Sequence, residues 1–229
     1  MMCCMASRTA TCFSLALFPQ LFLFQRVLSS DVVLVLSGRR LYDRNHASRC
    51  ILRSSVGSSW NIEIPVQRKE VPIDDVEVPD LSTWFPEMQN EVRRIYAGLP
   101  LASAASELVA QLPPPYTSPW LTDYLMHAFV MTLNQLGWKK EIVRGDSRQR
   151  KRYANDCDYL LDLCREKRCQ RLIVGTGPET RCWELFRNAG VRLISQDWVG
   201  SGALRGRDSI LDAVARLSVA EILERLQQN

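Results

Sequence analysis

The second half of this chain alternates between helix and strand patterns, which strongly limits the folds it can adopt. Apolar residues at helical spacing give way repeatedly to short, continuous apolar runs. The pattern predicts helices over 118–138, 154–168, 178–190 and 209–226 (the last a single helix or a pair), and strands over 141–145, 171–175 and 191–198. Helices that alternate with buried strands are typical of a parallel sheet covered by helices.

The N-terminal part carries the same pattern. CFSLALF (12–18) fits a strand, residues 20–29 a short helix, and DVVLVL (31–36) a fully buried strand, which together form a βαβ unit. The apolar stretch 9–24 also resembles a signal-peptide core, but it is short for a membrane span and no small-residue cleavage site follows it. We therefore expect an α/β fold, a mostly parallel sheet flanked by helices, with βαβ-type units at both ends of the chain.

A proline run, 113–115, is the best linker in the chain. Before it lie a predicted strand over 60–67, a helix that begins at Ser82 or Thr83, and a short helix over 103–112. We expect an extension or disordered segment over 1–11, an N-terminal α/β part over 12–112 and a C-terminal α/β part over 113–229, packed together as one globular unit.

Cysteine content bears on the compartment and on metal binding. The eight cysteines form no CxxC pair, and their spacing matches no zinc pattern. We therefore predict no metal and no cofactor. Eight thiols in a chain of 229 residues favour a reducing compartment, and we expect a cytoplasmic protein in which most cysteines are small buried hydrophobic residues.

A glycine-containing turn is the first candidate for ligand binding. Gly175, Thr176 and Gly177 follow a predicted strand and precede a predicted helix, with Thr180 in its first turn. Glycine lets the backbone approach a ligand closely, and a helix N-terminus attracts anions. The turn is neither a Walker loop nor GxGxxG. It is predicted to bind a phosphate, with a plain strand-to-helix turn as the alternative.

Polar residues after two other predicted strands complete the candidate site. Arg39, His46 and Arg49 follow the strand over 31–36, and Asp197 ends the strand over 191–198. Ligands of open α/β sheets bind at the carboxyl ends of the strands. Arg39 and Arg49 could hold a phosphate or carboxylate, and His46 or Asp197 could act as a general base. The alternatives are a solvated loop and a capping aspartate.

The densest basic segment of the chain lies over 144–153. Its cations, which could contact a nucleic acid or another anion, are Arg144, Arg148, Arg150, Lys151 and Arg152. A solvated polar loop is the alternative interpretation, because the net charge of the whole chain is only +4.

A collinear set of segments resembles the WbqC-like protein family. Trp84, Tyr96 and Pro100 match a Trp-helix-Tyr-x-x-x-Pro stretch. The other matching segments are WNIEIPVQRK (60–69), LNQLGWKKEIVRGDS (133–147), a helix–strand–glycine loop–helix–strand run that ends in Gln-Asp-aromatic (159–198), and DSILDAVA (208–215). The resemblance covers most of the chain, from about residue 13 to 215.

The family is linked to O-antigen and other surface-polysaccharide gene clusters, and a glycine or aminoacyl transferase role has been suggested for it. The resemblance therefore implies a transferase that joins an amino acid, or another amine or acyl group, to a phosphate- or nucleotide-activated acceptor. The acceptor could belong to surface-polysaccharide biosynthesis, or it could be a nucleobase. Arg49, the Gly175 turn and Asp197 match the family pattern.

Several of the family's acid/base positions differ in this chain. Phe13-Ser14-Leu15 stands where the family usually has His-Gln-Pro, Ser37-Gly38 replaces two acidic residues, and Met88 lies near a family histidine. The alternative function is therefore a non-catalytic binding or scaffold protein with the same fold and a decayed active site. Convergence of Arg49, the Gly175 turn and Asp197 in one polar pocket would favour the enzyme.

Overall fold

The computed structural model describes residues 7–36, 47–66, 71–112, 118–153, 155–175, 182–196 and 205–227, without the side chains of 147 and 148. The strands are β1 (Thr9–Phe13), β2 (Val32–Leu36), β3 (Arg49–Arg53), β4 (Ser59–Glu63), β5 (Glu141–Gly145), β6 (Arg171–Val174) and β7 (Arg192–Ser195). The helices are α1 (Leu21–Leu28), α2 (Trp84–Ile95), α3 (Ala102–Ala110), α4 (Leu121–Gln135), α5 (Ser147–Arg150), α6 (Asp156–Glu166), α7 (Trp183–Asn188), α8 (Ile210–Val214) and α9 (Val219–Gln227).

Five strands form one sheet in the order β5-β2-β1-β6-β7, and each neighbouring pair is parallel. The predicted α/β fold with a mostly parallel sheet is therefore confirmed. β1 and β2 precede the proline run and β5 to β7 follow it, so the sheet contains strands from both predicted parts of the chain.

Helices cover both faces of the sheet, which explains why its central strands are continuously apolar. Every residue of β1 and β2 is buried. On one face Phe13 and Phe24 of α1 both pack against Phe129 of α4, and the Phe13 and Phe129 ring centroids are 4.8 Å apart. On the other face Leu34 and other strand residues pack against α6 and α7. Side chains alternate between the two faces along each strand.

Three local predictions need correction. The first strand spans Thr9–Phe13 instead of 12–18, because these are the residues that pair with β2 and β6; it thus begins inside the expected extension over 1–11. β3 was not predicted, because Arg49 and Arg53 make RCILR look like part of a polar loop. β3 pairs with β4 in an antiparallel hairpin, and Cys50, Leu52 and Ile62 of that hairpin join the core.

The six cysteines in the part of the chain that the structure describes divide into two groups. Cys12, Cys50, Cys164 and Cys169 are buried and form no disulfide, as small hydrophobic residues are expected to be. Cys157 of α6 and Cys182, the residue before α7, form a disulfide. This bond differs from the expectation that the cysteines stay reduced, and it arises because the fold brings their Cα atoms to 5.6 Å.

Within the residues described, no helix is both long enough and apolar enough to cross a membrane.

Candidate functional site

The topology of the sheet creates one place where a ligand crevice is expected. From β1 the chain passes through α1 to β2 on one side, and from β6 it passes through α7 to β7 on the other side. The connections after β1 and β6 therefore leave adjacent strand ends in opposite directions. In open α/β sheets ligands bind at such a switch point, outside the carboxyl ends of the strands.

Arg26 of α1 brings a positive charge to this switch point. A methyl group added at Gly175, the residue after β6, would lie 3.1 Å from Nη1 and 3.5 Å from Cζ of Arg26. Arg26 is 7% exposed, and its Cζ lies 5.3 Å from the centroid of the Phe22 ring. The glycine thus lets a buried guanidinium approach the end of β6, where a side chain would displace it.

Two amide side chains near this point carry buried polar atoms without a hydrogen-bond partner among the described residues. Gln25 is 1% exposed, and neither of its amide atoms is hydrogen-bonded. Gln25 follows Phe22 by three residues, so the two side chains lie on the same side of α1, next to Arg26. Gln196 follows β7, and its Oε1 is likewise buried and without a partner. Such groups cost stability, and they require a specific explanation.

The connection from β1 to α1 is fixed by the segment that precedes α8. Phe18 has a φ of 45°, in the left-handed region that is unfavourable for a residue with a side chain. Ser209 Oγ donates to the Phe18 carbonyl at 3.0 Å, and Leu21 N donates to the Asp208 carbonyl at 3.0 Å. These bonds hold the strained turn and therefore set the position of α1 and of Arg26.

Asp212 of α8 is the centre of a buried polar cluster beside this connection. Its Oδ1 accepts from Arg53 N at 2.7 Å and from Tyr96 Oη at 3.0 Å, and its Oδ2 accepts from Ser209 N at 3.2 Å. Burial raises the pKa of Asp212 to about 6, although the three donors oppose that rise. Because the cluster satisfies its carboxylate internally, we assign it a structural role.

Cys50 belongs to the same cluster and is unsuited to nucleophilic chemistry. Its thiol donates to Ser209 Oγ at 3.2 Å, and burial raises its pKa to about 12. Ser209 and Asp212 also form the capping box of α8, so the Ser-Ile-Leu-Asp segment has a local structural function.

The structure describes two of the predicted site residues. Gly175 lies at the switch point, as described above. Arg49 lies on β3, in the two-stranded sheet, and its Nε is 2.8 Å from Glu63 Oε2. The carboxylate of Glu63 would compete with a ligand anion for Arg49. The remaining predicted residues fall outside the described part of the chain: Arg39, His46, Thr176, Gly177, Thr180 and Asp197.

The basic segment over 144–152 is partly engaged within the protein. Arg144 Nη1 donates to Asp123 at 2.7 Å, and its Nη2 lies 3.1 Å from Asp74 Oδ1. Arg150 pairs with Asp156. Lys151 and Arg152 are exposed, and the Arg148 side chain lies outside the described part. A nucleic-acid contact on this segment stays a prediction that depends mainly on Lys151 and Arg152.

Sequence reasoning missed Arg26, Gln25 and Gln196. Arg26 was assigned only to a short helix, although Gln25 and Arg26 interrupt an otherwise apolar helix between two buried strands. That interruption was the available signal, since a buried helix rarely contains a charge without a reason. Within the ranges that the structure describes, no group of three or more potential metal ligands comes together.

Comparison at the level of protein families matches residues 16–201 to the WbqC-like protein family. Comparisons with curated proteins and with solved structures gave no match. The matched range includes α1, Arg26, Gly175 and Gln196, so the switch-point residues lie inside the shared region. Since the match covers most of the 229 residues, this chain belongs to the WbqC-like protein family.

Proposed function

We propose that this protein is a transferase that binds a phosphorylated or nucleotide-linked molecule at the switch point between β1 and β6. It would join an amino acid, or another amine or acyl group, to that activated molecule, as in surface-polysaccharide (O-antigen) biosynthesis or nucleobase modification. The proposal is supported most directly by the position of the buried Arg26 guanidinium, which Gly175 lets approach the carboxyl end of β6, the place where ligands of open α/β sheets bind.

In the proposed reaction the amine nitrogen forms a bond to the activated carbon, and the bond from that carbon to the phosphate oxygen breaks. The proton of the amine passes to His46 or Asp197. The leaving phosphate takes the electron pair, and Arg26 stabilises its charge with the Gly175 turn, including Thr176, Gly177 and Thr180. Catalysis would depend mainly on positioning and charge stabilisation.

In the nucleobase version of the proposal, Lys151 and Arg152 would contact the nucleic acid. The proposed compartment is the cytoplasm, as the cysteine count predicts. The Cys157–Cys182 disulfide gives a check on that location, because a reducing compartment keeps most protein thiols reduced. Mass spectrometry of alkylated protein taken directly from cells would show whether this pair is oxidised.

The test is ligand binding by thermal shift and calorimetry, with pyrophosphate, nucleotides, nucleotide sugars and aminoacyl donors as probes. A ligand at about 100 times its Kd raises the free energy of unfolding by about 2.7 kcal/mol. Arg26→Met should weaken binding by about 10- to 100-fold, because a charge-assisted hydrogen bond contributes about 1.5–3 kcal/mol. Arg93→Met is the matched control, since Arg93 is exposed on α2.

Gly175→Ala provides a second variant that leaves the arginine in place. Its methyl group would lie 3.1 Å from Arg26 Nη1, so the guanidinium must move by a few tenths of an ångström. We expect weaker binding than in the wild type and a smaller loss than in Arg26→Met. Binding that is the same in all these variants, or no binding of any probe by the wild type, would contradict the proposal. The ligand identified is then tested for turnover with amino-acid donors.

One observation favours the alternative, a non-catalytic binding or scaffold protein. Arg49 matches the family pattern, yet its guanidinium is paired with Glu63 in a sheet separate from the one that contains Gly175. Under this alternative a ligand would bind through Arg26 without turnover. Turnover with amino-acid donors distinguishes the two functions, and Glu63→Gln tests the part of Arg49, because removing the Glu63 charge should alter ligand affinity through Arg49 only if Arg49 reaches the same ligand.

A further inference from the structure

Gln196 is placed beside Gly175 by the pairing of β6 with β7. Val174 is the register partner of Ser195, and Gln196 N donates to the Val174 carbonyl at 3.0 Å. The next residues along each strand, Gly175 and Gln196, are therefore neighbours across the ladder. Neighbouring strands lie about 4.8 Å apart.

Gln196 and Arg26 also lie on the same face of the sheet. Paired residues of parallel strands project to the same face, and successive residues alternate. A side chain at Gly175 would point towards Arg26 of α1. The side chain of Gln196 is thus expected on the face of the sheet that α1 covers. Gln196 lies about one strand spacing from Gly175, the residue that the Arg26 guanidinium approaches.

The side-chain atom of Gln196 that lacks a hydrogen-bond partner among the described residues is an acceptor. Its Oε1 is buried and has no partner among the residues described, although Arg26 carries N–H donors on the same face of the sheet. An acceptor that the described residues leave unsatisfied is complementary to a donor group supplied by a ligand. A ligand bound by Arg26 would therefore present an N–H or O–H group next to its anionic group.

We propose that Gln196 is a specificity-determining residue that selects anionic ligands carrying an amine, amide N–H or hydroxyl donor beside the anion. This inference rests on the proposed function, since it requires an anion at Arg26. It narrows the ligand class: an anion without a donor would contact Arg26 and leave Gln196 Oε1 without a partner, whereas a donor-bearing anion would contact both side chains. Gln196 acts in recognition of the bound ligand, with no part in bond making or breaking.

The experiment compares phosphoethanolamine with ethyl phosphate, a pair that differs in the amine donor. Binding of both compounds at millimolar concentration is measured by ligand-observed NMR on the full-length wild type, Gln196→Leu, Gln196→Glu and Arg26→Met. Gln111→Leu, which changes an exposed glutamine at the end of α3, is the matched control. Circular dichroism confirms that each variant is folded.

We expect the wild type to bind phosphoethanolamine about tenfold more tightly than ethyl phosphate, the effect of one hydrogen bond to a charged group. Gln196→Leu should abolish that preference and leave ethyl phosphate binding unchanged. Gln196→Glu should increase the preference, because a carboxylate attracts the ammonium group and repels the phosphate.

Two results would overturn the inference while leaving the anion site in place. One is equal binding of the two compounds by the wild type. The other is a Gln196→Leu variant that weakens both compounds equally, as expected for a purely structural residue. A different result would count against the proposed function itself: binding of neither compound, or binding that Arg26→Met does not change.

Discussion

At the scale of single residues, Gln25 offers a direct test of whether the switch point is maintained for ligand binding. Its buried amide is not hydrogen-bonded within the described part of the chain, so Gln25→Met removes an unsatisfied polar group with little change in shape. Removing a buried group of this kind should raise the free energy of unfolding by about 1 kcal/mol. For a chain of this size that corresponds to about 2–4 °C in Tm by calorimetry.

The same variant should bind the Arg26-dependent ligand less tightly, since functional sites often retain groups that destabilise the fold. Calorimetric titration with the best anion from the panel measures this loss. A lower Tm in Gln25→Met would show that the amide has a structural partner, and unchanged ligand affinity would remove Gln25 from the site.

Asp212 makes stability depend on pH in a direction opposite to that of an ordinary ion-paired carboxylate. Burial raises its pKa from 3.8 to about 6 in the folded protein. The folded state therefore holds the proton more tightly than the unfolded state does. Its contribution to stability is fully present below about pH 4 and is lost as the pH rises through about 6, by up to about 3 kcal/mol.

Urea unfolding of the wild type and Asp212→Asn at several pH values isolates this contribution from other titrating groups. The asparagine cannot titrate, and its amide nitrogen would face a backbone donor, so the variant should be less stable throughout. The difference in the free energy of unfolding should shrink as the pH rises from about 4 to 7. A difference that stays constant would show that Asp212 is ionised in the folded state over this range.

At the scale of helices and strands, sequence patterns predicted most elements where local chemistry agrees with burial. The helix α6 lies within the predicted range 154–168 and is capped by Asn155, whose side chain accepts from Asp158 N at 3.0 Å. Gly98 and Gly137, which follow α2 and α4, have φ values of +82° and +73°, as is typical of glycines that end helices. Such helix ends are determined by neighbours in sequence, which is why the helices could be predicted from local patterns.

The errors lie where distant contacts decide the structure. The first strand was placed three residues late, because 12–18 is the more apolar segment, whereas pairing with β2 and β6 selects Thr9–Phe13. Arg26 and Gln196 were missed for a similar reason. Arg26 matters because it approaches Gly175, 149 residues further along the chain, and Gln196 matters because the pairing of β6 with β7 places it beside Gly175. No local sequence pattern contains either relation.

The disulfide between Cys157 and Cys182 is a connection between elements, because it joins α6 to the start of α7. A bridge across a sequence separation of 25 should stabilise the fold by about 3 kcal/mol. Cys157→Ser should lose that stability in chemical unfolding, and wild-type protein in dithiothreitol should behave like the variant. Cys169→Ser, at a buried cysteine outside the disulfide, is the control: it keeps the Cys157–Cys182 bond and should lose stability in dithiothreitol as the wild type does, whereas Cys157→Ser should not respond to the reductant. Equal stability of wild type and Cys157→Ser without reductant would show that the pair is not oxidised.

At the scale of the whole molecule, the central feature is a sheet built from both halves of the chain. β5 pairs with β2 along the full length of both strands, and β6 pairs with β1. The switch point lies between β1 and β6, one from each half. The candidate site therefore exists only when the two halves are assembled, although the alternation of patterns in either half suggests a self-contained unit.

We expect that residues 1–112 and 113–229, produced separately, do not fold cooperatively. The second half alone would leave β5 without its neighbour and expose the edge of β6, and apolar strands with free edges tend to aggregate. Thermal unfolding followed by circular dichroism should give one transition for the full chain and none for either fragment.

Co-expression of the two fragments is the positive control. If they associate, the cooperative transition and Arg26-dependent anion binding should return together, since both depend on pairing of β1 with β6. A cooperative transition in either fragment alone would show that the halves are independent domains, and the switch point would then be a contact between domains.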